Sequence, residues 1–398
     1  MKATFDRDTL IAAVTPAAGI ASIKNTASAI EGVLLECPGE TENSCRITAY
    51  DMEKGMRTSI PCRVIEPGKI VMKAQNLLQI VRALPAGEID VTVDEHCRAT
   101  ISQGKSSFEI VVTPGDAFPQ LPLLAGDRNY TMPQHLLRDV VTRTIYAVAV
   151  NDQRAIFNGA FFKIENGRLL VIGCDGNRVA ISHVELPGEN HPEAAVIVPG
   201  RLLGEVLRMM KDTEDDVTVT LARKHIIFRL GEYVYFTRLI EGEYTDYKRL
   251  LPRTHETEVF VEAEALRESL ERATLVTEDK LGGNTRAHVK LEFEGNTLKI
   301  SSVSAGGSIY DELPVAKTGA DLVIGFNCRF LVEALRNAPD EAKHLRLRLN
   351  SPMMGVTIEE AGGSGSRAYI PGEDTGDTHD DFTEVCLDYV LPVRMNGR

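Results

Sequence analysis

The stretch best suited to chemistry is CDGNR, residues 174 to 178. An enzyme could use the Asp175 carboxylate as a general base beside the Arg178 cation. The same letters also predict a turn between two strands, because Asp, Gly and Asn favour tight connections. Asp51 in AYDMEKG has the corresponding place earlier in the chain, and this recurrence favours the turn over a catalytic role.

Patterns typical of metal, cofactor and nucleophile sites are missing from the sequence. No two of the nine His are closer than eight positions, and the seven Cys include no C-x-x-C pair, so we expect reduced thiols and no metal site. The segment GGSGSR (362–367) lacks a following G-K-[ST] and predicts a surface hairpin rather than a phosphate loop. No Ser/His/Asp or Cys/His arrangement follows from the spacing. We expect no cofactor.

The elements that must position these residues occur three times. The phrases LLQIVRAL (77–84), LGEVLRMM (203–210) and LVEALRNA (331–338) each place apolar residues at i, i+4 and i+7, which is one face of a helix. In the gapless alignment of the three phrases, one further position would lie on the side of the helix away from the apolar face. This column of the alignment consists of three arginines: Arg82, Arg208 and Arg336.

The period of the repeat indicates whole domains. Successive phrases start 126 and 128 residues apart, which is too long for a solenoid unit. Each unit reads as strand, helix, strands, helix, strands, and NGR (166–168) and GNT (295–297) predict hairpin turns between alternating apolar segments. This pattern favours antiparallel sheets and the α+β class. We predict three tandem domains, with the bounds 1–125, 126–253 and 254–398.

Composition and charge restrict the class of protein further. The chain of 398 residues is 43% apolar and 25% charged, which is typical of a globular protein. MKATFDRD at the start leads into no long apolar stretch, so we expect a cytoplasmic protein without a signal peptide or a membrane span. The net charge of −13 makes tight non-specific DNA binding by bulk charge unfavourable.

Three further phrases occur in a fixed order on this triplicated chain. They are VIGCDGNRVA (171–180), EGEYTDYKRLLP (241–252) and YVLPVRM (389–395). With them the whole chain resembles the bacterial DNA polymerase III beta subunits, the sliding clamps, which have T-D-G-H-R-L, F-P-D-Y-x-R-x-x-P and V-M-P-M-R-L phrases at these places. The chain differs from that pattern at Thr245, where the family has Pro, at Asn177, where His is common, and in the extra residues 396–398.

The resemblance implies a fold and a non-catalytic function. Two copies would join head to tail in a closed ring of six alike domains, with the sheets outside and the helices around a hole that holds double-stranded DNA. Such a homodimer is a processivity factor, and a basic inner wall on an acidic protein would hold DNA loosely enough to slide. The residues expected to contact DNA are Lys24, Arg82, Asn151, Arg208 and Arg336.

The resemblance also implies a hydrophobic cleft that binds short peptides of the DNA polymerase III alpha subunit, the clamp loader, other polymerases and repair proteins. The apolar tail LPVRM is compatible with a docking groove as well as with a last strand. The cleft residues implied are Phe157, Cys174, Gly176, Asn177, Arg178, Val179, Thr245, Arg249, Leu250, Gly355, Tyr389, Leu391, Pro392, Val393, Arg394 and Met395.

For the ring interface the resemblance implies Phe108 and Ile110 against Leu275 and Val276 of a second copy. The alternation in SFEIVV is itself typical of an edge strand. The acidic run 371–381 predicts a solvated loop. Two alternatives stay open: an enzyme that uses Asp175 and Arg178, and a monomeric scaffold of three repeats that forms no ring.

Overall fold

The computed structural model describes residues 1–21, 31–39, 42–277, 288–304, 306–338, 342–361 and 386–395. Four of the predicted features therefore lie outside the described residues. They are Lys24, the predicted hairpin 362–367, the acidic run 371–381 and the last three residues, 396–398.

Helices and strands follow one another in the same order in each of the three repeats, as predicted. The described part of the first repeat contains β1 (Lys2–Asp6), α1 (Arg7–Ile20), β2 (Gly32–Cys37), β3 (Ser44–Tyr50), β4 (Lys54–Pro61), β5 (Arg63–Glu66), β6 (Gly68–Lys73), α2 (Ala74–Ala83), β7 (Glu88–Val93), β8 (Arg98–Gln103), β9 (Ser106–Val111) and β10 (Thr113–Pro114). The second contains β11 (Arg128–Pro133), α3 (Gln134–Ile145), β12 (Gly159–Glu165), β13 (Arg168–Cys174), β14 (Arg178–Glu185), β15 (Ala194–Pro199), α4 (Gly200–Met209), β16 (Asp216–Leu221), β17 (His225–Leu230) and β18 (Tyr233–Arg238). The third contains β19 (Thr257–Glu262), α5 (Ala263–Thr277), β20 (Val289–Glu294), β21 (Thr297–Ser304), β22 (Gly307–Pro314), β23 (Ala316–Gly319), β24 (Leu322–Phe326), α6 (Cys328–Arg336), β25 (His344–Leu349), β26 (Val356–Glu360) and β27 (Leu387–Val390).

The strands form antiparallel sheets, which confirms the predicted α+β class, and the chain divides into two compact units. The first unit is Met1–Arg138 with Arg201–Leu239, and the second is Asp139–Gly200 with Ile240–Arg398. In the first unit a five-stranded sheet has the order β5-β1-β7-β8-β9, and a nine-stranded sheet has the order β10-β6-β2-β3-β4-β18-β17-β16-β11. In the second unit a nine-stranded sheet has the order β15-β12-β13-β14-β27-β26-β25-β19-β23, and a four-stranded sheet has the order β22-β21-β20-β24.

Each nine-stranded sheet combines strands of two repeats. In the first unit β4 pairs with β18, and in the second unit β14 pairs with β27. An uncovered sheet edge presents backbone N–H and C=O groups without partners, and pairing with the neighbouring repeat satisfies them. The second repeat is therefore divided between the two compact units, which the period of the sequence repeat did not predict.

The apolar columns of the repeated helices face the interior, as predicted. Leu77 and Val81 of α2, and Leu331 of α6, are almost completely buried. Helix α4 differs slightly, because Val206 is buried and the predicted Leu207 is only partly buried. The arginine column lies on the exposed side in all three helices.

Both predicted hairpin turns are present. Asn166 and Gly167 have φ of 52° and 73° and join β12 to β13, with Glu165 opposite Arg168. Two consecutive residues of positive φ define the turn that matches the right-handed twist of the two strands. Gly295, with φ of 55°, has the same place between β20 and β21.

The junction of β4 with β18 depends on a glycine. Gly55 lies opposite Phe236, whose ring approaches so closely that a Cβ on Gly55 would be 2.2 Å from the Phe236 Cζ atom. Because Gly55 has no side chain, the fully buried phenyl ring of Phe236, which belongs to the second repeat, can lie directly over strand β4 of the first repeat.

We predict that Gly55→Ala lowers the free energy of unfolding by about 1 to 3 kcal/mol, because the new methyl group must displace a buried ring. Urea denaturation followed by circular dichroism measures the change. The matched control is Gly204→Ala in helix α4, where an added Cβ has no atom within 4 Å. This control is expected to be neutral or stabilising, by up to about 1 kcal/mol. Equal destabilisation by both variants would contradict the prediction.

Candidate functional site

An apolar cluster in the second unit contains four of the predicted cleft residues, Phe157, Cys174, Val179 and Tyr389. They come from β13, β14, β27 and a short 3-10 turn, Ala155–Asn158. The other buried members are Leu170, Ile172, Ile181, Tyr247, Leu251 and Leu387.

Strand register explains why these side chains meet. Cys174 lies opposite Val179 in the β13–β14 pair, and Val179 lies opposite Tyr389 in the β14–β27 pair. Residues directly opposite one another in an antiparallel sheet project from the same face. The three neighbouring strands therefore present one continuous apolar surface, on which Phe157 packs.

The CDGNR segment forms a turn, as the recurrence of Asp51 favoured. The Asp175 Oδ1 atom accepts hydrogen bonds from the backbone N–H groups of Asn177 (2.8 Å) and Arg178 (3.1 Å), and Gly176 has φ of 86°. Asp51 accepts from the N–H groups of Glu53 and Lys54 in the same way. Both carboxylates organise a turn, which is the structural role predicted for them.

The Arg178 guanidinium is buried, and each of its three nitrogens donates a hydrogen bond. Its Nε atom donates to Asp175 at 3.0 Å, Nη1 donates to Glu333 at 2.5 Å, and Nη2 donates to the backbone carbonyl of Tyr146 at 2.6 Å. The ring of Phe330 lies 4.4 Å from the guanidinium carbon. Burial would raise the pKa of Glu333, but hydrogen bonds from Arg329 and Arg178 outweigh it and lower that pKa. These contacts satisfy a charge that would otherwise be costly to bury.

A second buried polar pair lies beside Arg178. The Tyr146 hydroxyl donates to the carboxylate of Asp388, which belongs to β27. Burial is the main cause that raises the pKa of Asp388 to about 7, and the hydrogen bond from Tyr146 opposes it. Burial also raises the pKa of Tyr146 well above its ordinary value. The Asp388 carboxyl therefore changes charge near neutral pH, and so does the nearby Cys386 thiol, whose pKa hydrogen bonds from His183 and Ser182 lower to about 7 against the effect of burial.

The C-terminal tail lies beside the turn at 175–178. The Leu391 N–H donates to the Asn177 carbonyl, and the Val393 N–H donates to the Gly325 carbonyl, both at 2.9 Å. The Met395 side chain also lies against Gly325. Pro392 is partly buried and Arg394 is exposed. The structure thus brings the predicted tail residues next to the apolar cluster.

Three predicted residues lie on the segment that follows β18. Thr245 is partly buried, Leu250 is 43% exposed, and the exposed Arg249 forms an ion pair with Asp246 at 3.0 Å. The buried contact with the cluster comes instead from the neighbouring Tyr247. Gly355, from the turn before β26, donates its N–H to the Tyr389 hydroxyl at 3.0 Å.

Sequence reasoning missed several residues of this surface. Tyr244 stacks on Phe161 with ring centroids 4.9 Å apart, and both pack on the cluster. The Arg154 guanidinium carbon lies 4.3 Å from the centre of the Phe157 ring. The aromatic spacing in EYTDYKRLL was the available signal for Tyr244 and Tyr247, whereas nothing in the sequence pattern indicated Arg154.

Each of the three arginines of the repeated column has a partner on the chain. Arg82 donates to the Thr15 hydroxyl at 3.2 Å, in the first unit. Arg208 pairs with Glu205 at 2.5 Å, also in the first unit, and Arg336 pairs with Glu271 at 2.9 Å in the second. Asn151, another predicted DNA contact, is exposed with φ of 61°.

Of the residues predicted for a subunit interface, Phe108 and Leu275 are exposed, and Ile110 and Val276 are partly buried. Phe108 (38% exposed) and Ile110 belong to β9, the end strand of the five-stranded sheet. Leu275 (80% exposed) and Val276 lie in the last turn of α5.

The described residues contain neither a metal cluster nor a helix that could cross a membrane. No three or more His, Cys, Asp and Glu side chains come together there as a metal ion would require. None of the described helices combines the length and the apolar character that crossing a bilayer demands. All seven cysteines are described, and none forms a disulfide.

Comparison with known proteins gives three family matches in order along the chain. Residues 1–122 match the N-terminal domain of the DNA polymerase III beta subunit. Residues 131–246 match its central domain, and residues 248–371 match its C-terminal domain. Together the three models span most of the chain.

Individual relatives are similar to this chain over nearly its full length. The chain is 28% identical over 369 residues to the beta sliding clamp of Pseudomonas putida, covering 92% of this chain and 98% of that protein. A putative DNA polymerase III beta subunit from Eubacterium rectale has a similar crystal structure, with a TM-score of 0.85, 26% identity and coverage of 99% and 100%. A sliding clamp from Pseudomonas aeruginosa bound to griselimycin has a TM-score of 0.83, 25% identity and the same coverage.

We predict that the contribution of Asp388 to stability falls as pH rises from about 4 to about 7. The folded chain binds a proton at this carboxyl more tightly than the unfolded chain, since the pKa is raised from 3.8 to about 7. Ionising the buried group costs free energy, and the full cost is present above pH 7. The measurement is the free energy of unfolding of Asp388→Asn minus that of the wild type, which should increase with pH over this range.

The matched variant for this prediction is Tyr146→Phe. It removes the hydrogen bond that opposes the rise in the pKa of Asp388, so its stability should fall relative to the wild type as pH rises. If the Asp388→Asn difference were constant from pH 4 to pH 8, the assignment of this titration to Asp388 would be wrong.

Proposed function

Because the chain belongs to the DNA polymerase III beta-subunit family, we propose that it is a sliding clamp. In this function it encircles duplex DNA and holds polymerases and repair proteins on it. It is a processivity factor and not a catalyst of its own. The observation that carries the proposal is the ordered match of three clamp-domain models to a chain whose fold has three repeats of the same elements.

The partner site is the apolar cluster around Phe157, with the tail Leu391–Met395 as one wall. Its buried floor is continued by Leu391 and Leu250, which are 39% and 43% exposed. An apolar surface with arginines at its edge suits a short hydrophobic peptide segment. The peptides would come from the DNA polymerase III alpha subunit, the clamp loader, other polymerases and repair proteins.

The DNA site is the set of exposed helix surfaces that carry Arg82, Arg208 and Arg336, together with Lys24 and Asn151. A net charge of −13 opposes attachment of DNA elsewhere on the protein, whereas a few phosphate contacts inside a ring permit sliding. The place of action is the cytoplasm. The domain bounds are 1–125, 126–253 and 254–398.

Repetition of the sheet junctions supports a head-to-tail homodimer. The strand that follows the turn at 51–54 is β4, and it pairs with the last strand of the second repeat, β18. The corresponding strand β14 pairs with the last strand of the third repeat, β27. The next pair in this series is β22 with β9 of a second copy, because β9 is the last strand of the first repeat apart from the two-residue strand β10, and each of these strands ends a sheet in the described chain. Phe108 and Ile110 then meet Leu275 and Val276.

We predict that the protein binds a hydrophobic pentapeptide of the Q-L-x-L-F type and that Phe157→Ala weakens binding at least tenfold. Removal of a buried anchor ring from a binding pocket typically costs about 2 kcal/mol or more. Fluorescence anisotropy of a labelled peptide gives the dissociation constants. Leu391→Asp, at a more exposed position, is a second variant that should reduce affinity without disturbing the core.

The control for the peptide experiment is Val303→Ala, which removes an apolar side chain that is 76% exposed on β21. It should bind the peptide as the wild type does. Unchanged affinity in both Phe157→Ala and Leu391→Asp would place the peptide site elsewhere.

We predict that the wild type sediments at twice the chain mass of 43.7 kDa and that Phe108→Asp sediments as a monomer. A carboxylate at the centre of a strand-to-strand interface would be desolvated without a partner. The control is Met52→Asp, since Met52 is 55% exposed in a turn of the first unit. A monomeric wild type would favour the alternative of a three-repeat scaffold without a ring.

A further inference from the structure

We propose that Glu205 and Glu271 restrain the arginines Arg208 and Arg336, so that Arg82 supplies the largest share of phosphate contact among the three repeated positions. The two carboxylates would act as internal competitors of the DNA phosphates. This inference rests on the proposed function, because it assigns strengths to contacts that only a DNA-encircling protein makes.

The restraint is most developed on helices α5 and α6, which pack on each other. The Arg336 Nε atom of α6 donates to the Glu271 carboxylate of α5 at 2.9 Å, and Arg267 Nη1 donates to the same oxygen at 3.2 Å. The hydrogen bond from Arg336 is the main cause that lowers the pKa of Glu271, and Arg267 lowers it further. The Glu271 carboxylate is therefore charged at neutral pH. One anion therefore holds two cations on this exposed surface.

Helix α4 shows the same arrangement within one turn. The Arg208 Nη2 atom lies 2.5 Å from the Glu205 carboxylate at spacing i, i+3. The Glu205 side chain is only 15% exposed, and it lies against Gly19 of helix α1, where an added Cβ would be 2.6 Å from its Oε2 atom. Because the carboxylate is held in place by packing, Arg208 is drawn toward the helix surface.

Arg82 has a different partner. It donates to the Thr15 hydroxyl at 3.2 Å, and among the described residues no carboxylate forms an ion pair with it. A neutral hydroxyl orients the guanidinium but does not neutralise it. Within the described chain the same position of the repeat thus offers one uncompensated cation, Arg82, and two compensated cations, Arg208 and Arg336.

The physical consequence concerns how DNA is held. A phosphate that binds Arg336 or Arg208 must compete with a carboxylate already in contact, and the released counter-ions are fewer than for an uncompensated arginine. The arginines of the two pairs are 69% and 59% exposed, so solvent screens the pairs, and Gln keeps the size of the Glu side chain that it replaces, so the charge can be removed without unfolding the protein. Restrained arginines give short-lived phosphate contacts, and short-lived contacts suit a ring that slides.

The test measures binding of the full-length dimer to a short blunt-ended DNA duplex by fluorescence anisotropy over a series of NaCl concentrations. We expect Glu271→Gln to bind more tightly at low salt and to have a steeper slope of log Kd against log salt. The slope should increase by about 1 for each arginine released, hence by up to about 2 in a ring of two copies. Glu205→Gln, in the other unit, is a second variant with the same expectation.

The matched control is Glu268→Gln, which removes the same charge from the same helix. Its partner Arg272 keeps the carboxylate of Asp311 at 2.6 Å, so no arginine is released. The slope of this control should equal that of the wild type. An equal increase in the slope of Glu268→Gln and Glu271→Gln would show a general charge effect and would overturn the inference.

Arginine variants separate the two classes of contact. Arg82→Ala should reduce the wild-type slope by about 1 for each copy that contacts DNA, whereas Arg336→Ala should change it little. In the Glu271→Gln background, Arg336→Ala should remove the gained slope. If Arg336→Ala weakened the wild type as much as Arg82→Ala does, the restraint would not exist.

Failure of the proposed function would look different from failure of this inference. A wild type that sediments as a monomer and does not bind the duplex at low salt would overturn both. A dimeric wild type that binds the duplex, with Glu271→Gln and Glu205→Gln equal to it in affinity and slope, would overturn only the restraint.

Discussion

The second unit depends on the buried guanidinium of Arg178. This one group connects the turn at Asp175, the backbone after helix α3 at Tyr146 and the carboxylate of Glu333 on helix α6. Arg178 also begins β14, the strand that pairs with β27. A cation buried in this way is costly unless its nitrogens have partners, and here each of the three does, so one side chain fixes the positions of three separate elements. Breaking such a set by removing one partner typically costs about 3 to 5 kcal/mol.

The candidate peptide site is a product of that constraint. The Arg178 backbone and its neighbour Val179 pair with Val390 and Tyr389, so the short strand β27 lies where the guanidinium has fixed β14. The chain then continues to Leu391, whose N–H binds the Asn177 carbonyl. The polar network thus lies below an apolar surface, and the tail that borders this surface is positioned by backbone hydrogen bonds. Because the tail is already ordered, the protein itself loses less conformational entropy when a partner binds.

Sheet edges give a physical reason for the proposed homodimer. Each repeat leaves an edge strand, and two of these edges are covered within the chain by β18 and β27. Strands β9 and β22 remain at the ends of their sheets in the described chain. An exposed edge is a liability in a stable protein, and a second copy that repeats the internal junction would remove it. The proposed head-to-tail homodimer would therefore continue a rule that the chain already follows twice.

Local patterns in the sequence were sufficient for the order of elements, the buried helix columns, the hairpin turns at 166–167 and 295–296, and the role of Asp175. All of these depend on contacts between residues close together in the chain, where propensity and periodicity act directly. The family resemblance supplied Phe157, Cys174, Val179 and Tyr389, which the structure brings together in one cluster. Only the tertiary structure revealed that the boundary between the compact units divides the second repeat. It also revealed the contacts of Arg178 with Glu333 and Tyr146. The ion pair of Arg336 with Glu271 was likewise visible only there. These contacts join residues far apart in sequence, and a pattern in one segment contains no information on which distant charge will lie beside it.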